Sequence, residues 1–179
     1  MIDPVTLHRL GFGVLFLALS ALAIFVRMLP LGPVTGGWPP PDLIVLFGFA
    51  WVLRRHDFVP VLLCAALLLI GDFLFLSPPG PATALAVVGL EALRARAGLM
   101  REQSFPLEWA TVAVVLTLML LSERLVFAGF FVSQPPFGLS LLGLVINILA
   151  YPIVVAISVW GLHVRRLAPG EHAAEARLI

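Results

Sequence analysis

The sequence predicts an all-α integral membrane protein with six transmembrane helices and both termini in the cytoplasm. Composition is the first observation behind this fold class: of 179 residues, 61% are hydrophobic and 12% are charged. A soluble domain is about half apolar and about a quarter charged. One globular core of this length cannot bury so much apolar surface, and the mean hydropathy is +1.08. The composition therefore argues against a soluble enzyme.

Long apolar runs are the second observation. A helix needs about 20 apolar residues to cross a hydrocarbon core of about 30 Å. The range 10–26 has 17 residues without a charge, and 137–162 has 26. The shorter runs 43–53 and 82–90 can cross only if they are tilted or packed inside a bundle.

The breaks between the runs define the elements in chain order. Proline- and glycine-rich stretches at 32–41, 77–81 and 133–136 cannot continue a helix, and the ranges 54–57 and 97–106 read as polar connections. The predicted helices cover roughly 7–30, 42–55, 58–76, 81–97, 107–132 and 137–164.

The arginines are the third observation, because cytoplasmic loops carry an excess of basic residues. Six spans put nine of the eleven arginines on the side of the two termini. Arg27 lies near the opposite face, and Arg124 lies within a span. We therefore predict one transmembrane domain over 1–167, followed by a flexible cytoplasmic tail over 168–179.

Charged residues inside spans are costly and are the first places to look for function. From the helical rise, Asp72 lies about 21 Å into the third helix and Glu123 about 24 Å into the fifth. Arg27 ends the first helix, and Asp42 opens the second. Arg124 follows Glu123, so five charges from four helices share the outer third of the membrane.

This polar cluster has two interpretations. In the structural one, Asp42 follows Pro41 and caps its helix, Arg27 and Arg124 extend to lipid headgroups, and the remaining acids pair with an arginine. In the functional one, the cluster lines an outward-open polar cavity that binds a ligand or a partner's helix.

Other polar residues are predicted to serve helix packing. Glu91 stands three residues before Arg94 and can pair with it. Asn147 can bond across helices, and Pro152 is expected to kink the last helix. Four residues near span ends are typical of interfacial anchors: Trp38, Trp51, Trp109 and Trp160.

The sequence lacks the residues that several kinds of functional site need. The chain has no lysine, which excludes a phosphate-binding loop of the Gly-Lys type. Its one cysteine, Cys64, excludes a disulfide and a cysteine-based metal site. The four histidines have no metal-ligand spacing. We therefore predict no metal, no cofactor and no enzymatic activity, and a net charge of +1 gives no indication of nucleic-acid binding.

Ordered motifs give a resemblance to a known family over nearly the whole chain. Pro-Asp-Leu-Ile-Val opens the second span at 41–45, and Gly-Asp-Phe-Leu stands at 71–74. Asn147 precedes Tyr-Pro at 151–152 in the last span. The chain resembles the rod shape-determining protein MreD family of the bacterial inner membrane.

The resemblance implies a non-enzymatic scaffold of the cell-elongation machinery that helps organise side-wall peptidoglycan synthesis. It implies binding to MreC, a single-span protein with a large periplasmic domain. It also implies a shared task with RodA, with the transpeptidase partner of RodA and, indirectly, with MreB. Self-association stays open. Asp42, Asp72 and the connection 33–41 are our candidates for the MreC-binding surface.

The same family is distantly similar to S-components of energy-coupling-factor transporters, six-helix proteins with an outward-facing site. An S-component-like bundle is therefore the expected architecture, and a small-molecule-binding transporter subunit is the alternative function. The first helix lacks the Ala-x-x-x-Ala pair with which S-components meet their partner, which weighs against this alternative. A proton-coupled carrier using Asp72 and Glu123 ranks lower.

Overall fold

A computed structural model describes residues 4–29, 38–55, 59–100, 103–162 and 164, with the side chains of the first helix described from Leu10 onward. Within these ranges the chain is helical and contains no strand. The helices are α1 Pro4–Met28, α2 Leu43–Arg54, α3 Val61–Leu74, α4 Pro81–Met100, α5 Phe105–Gly129 and α6 Phe137–Ala156, which continues as a π-helical stretch over Ile157–Gly161. The all-α prediction is confirmed.

The predicted helix ranges agree with the observed ones to within about three residues at each end, when the π-helical stretch is counted with α6. Pro60 is the N-cap of α3, so this helix begins after the predicted residue 58. Leu76 has a positive φ of 53° and cannot continue the helix, so the predicted end at 76 is wrong. α4 runs three residues past the predicted 97. The predicted tail, 168–179, lies outside the described residues, as do 33–37 of the proposed partner-binding connection.

Three helices are long and apolar enough to cross a membrane: Leu10–Met28, Phe105–Gly129 and Phe137–Gly161. Large apolar side chains cover the outside of the bundle, with Leu62 84% and Leu125 74% exposed. A soluble monomer rarely exposes large continuous apolar patches. The long helices and this apolar surface indicate a membrane protein.

The short helix α2 is the centre of the bundle. Eleven of its twelve residues are buried, and it contacts α1, α3, α4 and α6. Its 12 residues rise only about 18 Å, so it relies on burial among longer helices. This arrangement places its two ends, Asp42 and Arg54, at opposite ends of the bundle.

Trp51 belongs to the core, so its prediction as an interfacial anchor is wrong. It is 0% exposed and packs edge-on against Phe47, with ring centroids 6.5 Å apart. Its Nε1 donates to Ser158 Oγ at 3.0 Å. Because α2 is enclosed by other helices, nearness to a helix end did not imply nearness to the membrane surface.

Pro152 lies inside α6 and has no N–H for the carbonyl four residues earlier. That carbonyl, on Ile148, accepts a hydrogen bond of 2.8 Å from Trp109 Nε1 on α5. A neighbouring helix thus satisfies the backbone group that the proline frees.

Candidate functional site: a polar cavity at one end of the bundle

A cavity of about 520 Å³ opens where the helices meet. It lies between the start of α2, the end of α3, the start of α4, the second half of α5 and the first half of α6. These are the ends that the sequence assigns to the outer face. Polar side chains from α1, the N-cap of α2, and α3 to α6 line it: Arg27, Asp42, Asp72, Thr83, Glu123, Ser140 and Asn147. The walls between them are apolar.

The structure therefore brings most of the predicted polar cluster together and separates the rest. Asn147, which was predicted to serve packing, also lines the cavity. Arg124 and Pro41 do not line it, although each adjoins a residue that does. Glu91 and Pro152 lie elsewhere in the bundle. Glu91 Oε1 pairs with Arg94 Nη1 at 2.9 Å, as their spacing predicts.

Asp42 connects the beginning of α2 to α6. Its Oδ1 accepts from the Val45 amide at 3.3 Å, which is the predicted helix cap. Its own amide donates to Asn147 Oδ1 at 2.8 Å. Asn147 thus bonds across helices, and the two contacts hold a carboxyl group at the rim of the cavity.

Asp72 connects the end of α3 to the beginning of α4. Its Oδ2 accepts from Thr83 Oγ1 at 2.8 Å and from the Gly80 amide at 3.1 Å. Gly80 has a φ of +103°, a conformation that favours glycine. Among the described residues no ion pair joins Asp72 to an arginine, so the pairing that the structural interpretation expects is not observed for this residue.

The two arginines near the outer face are engaged by aromatic and polar groups of the bundle. The Arg27 guanidinium stands over the Phe75 ring, 4.2 Å from its centroid, a cation–π geometry. Arg124 Nη1 donates to Ser140 Oγ at 2.8 Å and thereby braces the α5–α6 connection. Neither contact was foreseen in the prediction that these side chains extend to lipid headgroups.

Glu123 lines the cavity with a half-exposed side chain. In the part of the chain that the structure describes, no hydrogen bond or ion pair engages its carboxyl group, so the structural interpretation is not observed for Glu123 either. Arg124, the next residue, points to the α5–α6 connection because neighbouring residues lie about 100° apart on a helix.

A second polar site, which the sequence analysis missed, closes the opposite end of the bundle. Arg54 Nη1 bonds Glu108 Oε1 at 2.8 Å, and Tyr151 Oη donates to the same oxygen at 2.5 Å. Arg54 also donates to the Ala50 carbonyl at 2.9 Å. Glu108 and Tyr151 are 0% exposed and Arg54 is 8% exposed. The prediction of residue 54 as part of a polar connection is therefore wrong.

A signal for this second site was present in the sequence. Arg54 ends α2, Glu108 is in the first turn of α5, and Tyr151 is in the last third of α6, so the alternating helix directions bring all three to one end. The depth argument applied to the outer charges applies equally here. A glutamate in a first turn is also a favourable partner of the helix dipole, so Glu108 alone does not indicate a buried ion pair.

The cavity offers carboxyl groups, one guanidinium, an amide and apolar walls, which suit a ligand or an inserted segment with both polar and apolar parts. Among the described residues, no three His, Cys, Asp or Glu side chains are close enough to hold a metal ion. Comparison with protein-family models, curated proteins and solved structures finds no match to this chain.

Proposed function

We propose that this protein is a non-enzymatic membrane scaffold of the MreD kind that holds a segment of MreC in its polar cavity. In this proposal the chain crosses the bacterial inner membrane six times, with both termini in the cytoplasm. It helps organise side-wall peptidoglycan synthesis with RodA and its transpeptidase partner, and indirectly with MreB.

The cavity is the observation that carries this proposal. Under the six-span topology its open end faces the periplasm, where the large domain of MreC lies. The apolar walls suit an inserted segment. The hydrogen bonds of Asp42 and Asp72 hold the helix ends around the cavity in place. The sequence resemblance supplies the identity of the partner.

The binding experiment is co-expression with MreC and affinity purification in a mild detergent. We expect MreC to copurify with the wild-type chain. Leu144→Trp fills the cavity, because Leu144 lines it, and should abolish copurification. The matched control is Val145→Trp, since Val145 is at the same depth on α6, is 43% exposed and does not line the cavity.

Equal copurification of MreC with both tryptophan variants would contradict docking in the cavity. Absence of MreC from the wild-type preparation would contradict the scaffold itself.

A reporter fused after residue 179 should remain cytoplasmic, and a periplasmic reporter signal there would contradict the six-span topology.

The volume of the cavity supports a second candidate function. About 520 Å³ falls within the range of roughly 300–1,000 Å³ that is usual for small-molecule sites. It supports the small-molecule-binding subunit of a transporter, similar to an S-component. Mass spectrometry of the protein purified alone separates the two: a retained metabolite with no protein partner favours this candidate.

A further inference from the structure

We propose that the cavity accepts an organic cation, an ammonium or guanidinium group on an apolar stem. This inference rests on the proposed function, in which that group is a lysine or arginine side chain of the MreC segment. The charge balance, the free acceptors and the apolar walls of the cavity each support it.

The charge balance of the lining is the first step. Three carboxyl side chains and one guanidinium line the cavity. Across the described residues, no ion pair joins Arg27 to any of these carboxyl groups, and its guanidinium stands over the Phe75 ring. Carboxyl groups in a membrane-embedded cavity are costly when unpaired, so a second positive charge would stabilise them.

The available acceptors are the second step. Asp42 uses Oδ1 to cap α2, and Asp72 uses Oδ2 for Gly80 and Thr83. Glu123 makes no bond in the described part of the chain and can offer both of its oxygens. An ionised carboxylate only accepts hydrogen bonds, whereas ammonium and guanidinium groups only donate them. Such charge-assisted bonds are stronger than neutral ones.

The walls indicate what carries the charge. Leu68, Leu116, Met119 and Leu144 line the cavity between the polar groups. These side chains would pack against a hydrocarbon stem and exclude water from it. A bare metal ion would leave this apolar surface unfilled, and the acids do not cluster closely enough to ligate one. A cation with an alkyl stem matches both parts of the lining.

The direct test is thermal unfolding of the purified protein with hexylammonium, hexylguanidinium, hexanol and hexanoate as probes. We expect the two cations to raise the unfolding temperature in a saturable way, and the neutral and anionic probes to leave it unchanged. Glu123→Gln should weaken cation binding about tenfold, the loss of one charge-assisted bond. Glu91→Gln, outside the cavity, is the matched control.

A second variant guards against an effect of Glu123 on folding. Asp42→Asn removes a cavity charge and keeps a residue that caps helices equally well, so it should also weaken cation binding. If all four probes act alike, or if both cavity variants bind hexylammonium as the wild type does, the inference is overturned.

The MreC arm of the test separates this inference from the proposed function. Weaker MreC copurification with Glu123→Gln than with Glu91→Gln supports both. Normal copurification without a specific cation effect overturns the inference and leaves the scaffold proposal standing. A specific cation effect without any MreC binding overturns the scaffold proposal and assigns the cavity to a free organic cation.

Discussion

At the scale of single residues, the contact between Arg54 and Glu108 has a high desolvation cost. Both side chains are buried, at 4% and 0% exposure, and Tyr151 donates to the same carboxylate. Two charges removed from water are tolerated only when each is paired and hydrogen-bonded. The stability of this buried pair therefore depends on Arg54, Glu108 and Tyr151 all being present.

We predict that Glu108→Gln lowers the free energy of unfolding by about 3–5 kcal/mol, because it leaves the Arg54 guanidinium buried without a counter-charge. Glu91→Gln should cost less, since the Glu91–Arg94 pair is not enclosed by the bundle and Arg94 also donates to the Val59 carbonyl. Denaturation of the two variants in mixed micelles, with SDS as the denaturant, measures both values.

The double replacement Arg54→Met, Glu108→Leu supplies the control for this prediction. With neither charge present, part of the stability lost in Glu108→Gln should return. Equal unfolding midpoints for Glu108→Gln and Glu91→Gln would show that the buried pair contributes no more than an exposed one.

Sequence reasoning at this scale succeeded for local contacts and failed for distant ones. The Asp42 cap and the Glu91–Arg94 pair follow from spacing along one helix. Two partners of Glu108, Arg54 and Tyr151, are 54 and 43 residues away, and no local pattern encodes them. Gly80 and Thr83 are only 8 and 11 residues from Asp72, but they lie beyond the end of its helix, so spacing along one helix does not predict that contact either.

At the scale of elements, α4 packs closely between α2 and α5 at Gly89. A Cβ added there would lie 3.0 Å from Phe49 Cζ and 3.1 Å from Val115 Cγ1. A Cβ added at Gly98, about two and a half turns nearer the end of α4, would meet nothing within 4 Å. Both glycines lie inside the same helix, and only Gly89 is tightly packed against neighbouring side chains.

We predict opposite effects for the two alanine substitutions. Gly98→Ala should stabilise the protein by up to about 1 kcal/mol, because alanine has the higher helix propensity. Gly89→Ala gains the same propensity but overpacks the α2–α4–α5 contact, at a cost of typically 1–3 kcal/mol, so it should be neutral or destabilising. Thermal unfolding in detergent ranks the variants, and Gly89→Ala as the more stable one would contradict the packing argument.

The proline- and glycine-rich breaks made the elements themselves predictable. Every predicted helix exists, and most ends agree within a few residues because the breaks are strong backbone signals. The central position of α2 was not predictable from its own sequence. An apolar run of this length reads equally as a buried helix or as a tilted span, and only the packing of its neighbours distinguishes them.

At the scale of the whole molecule, the two ends of the bundle differ. One end opens into the cavity, and the other is closed by Arg54, Glu108 and Tyr151 with Trp51 and Ser158. Depth arithmetic from the helical rise predicted that several charges gather at one level. The cavity itself could not be predicted, because an empty space depends on how the side chains of all the surrounding helices pack together.

This asymmetry predicts which surfaces of α6 meet water. Leu144 lines the cavity, whereas its neighbour Val145 is 43% exposed away from it. If the outside of the bundle faces lipid, Val145 contacts hydrocarbon while Leu144 faces a wet cavity at the same depth. Cys64 is the one native cysteine, so a Cys64→Ala background allows single cysteines to report this difference.

We expect a membrane-impermeant maleimide, added to proteoliposomes, to label Leu144→Cys and to spare Val145→Cys, because the thiolate that reacts forms in water and not in hydrocarbon. Only vesicles with the cavity outward should react, so labelling should stop at the outward-facing fraction and reach completion after detergent is added. Labelling of Val145→Cys at the same rate would show that the exposed apolar face is in water, and protection of both positions would show that the cavity is closed to it.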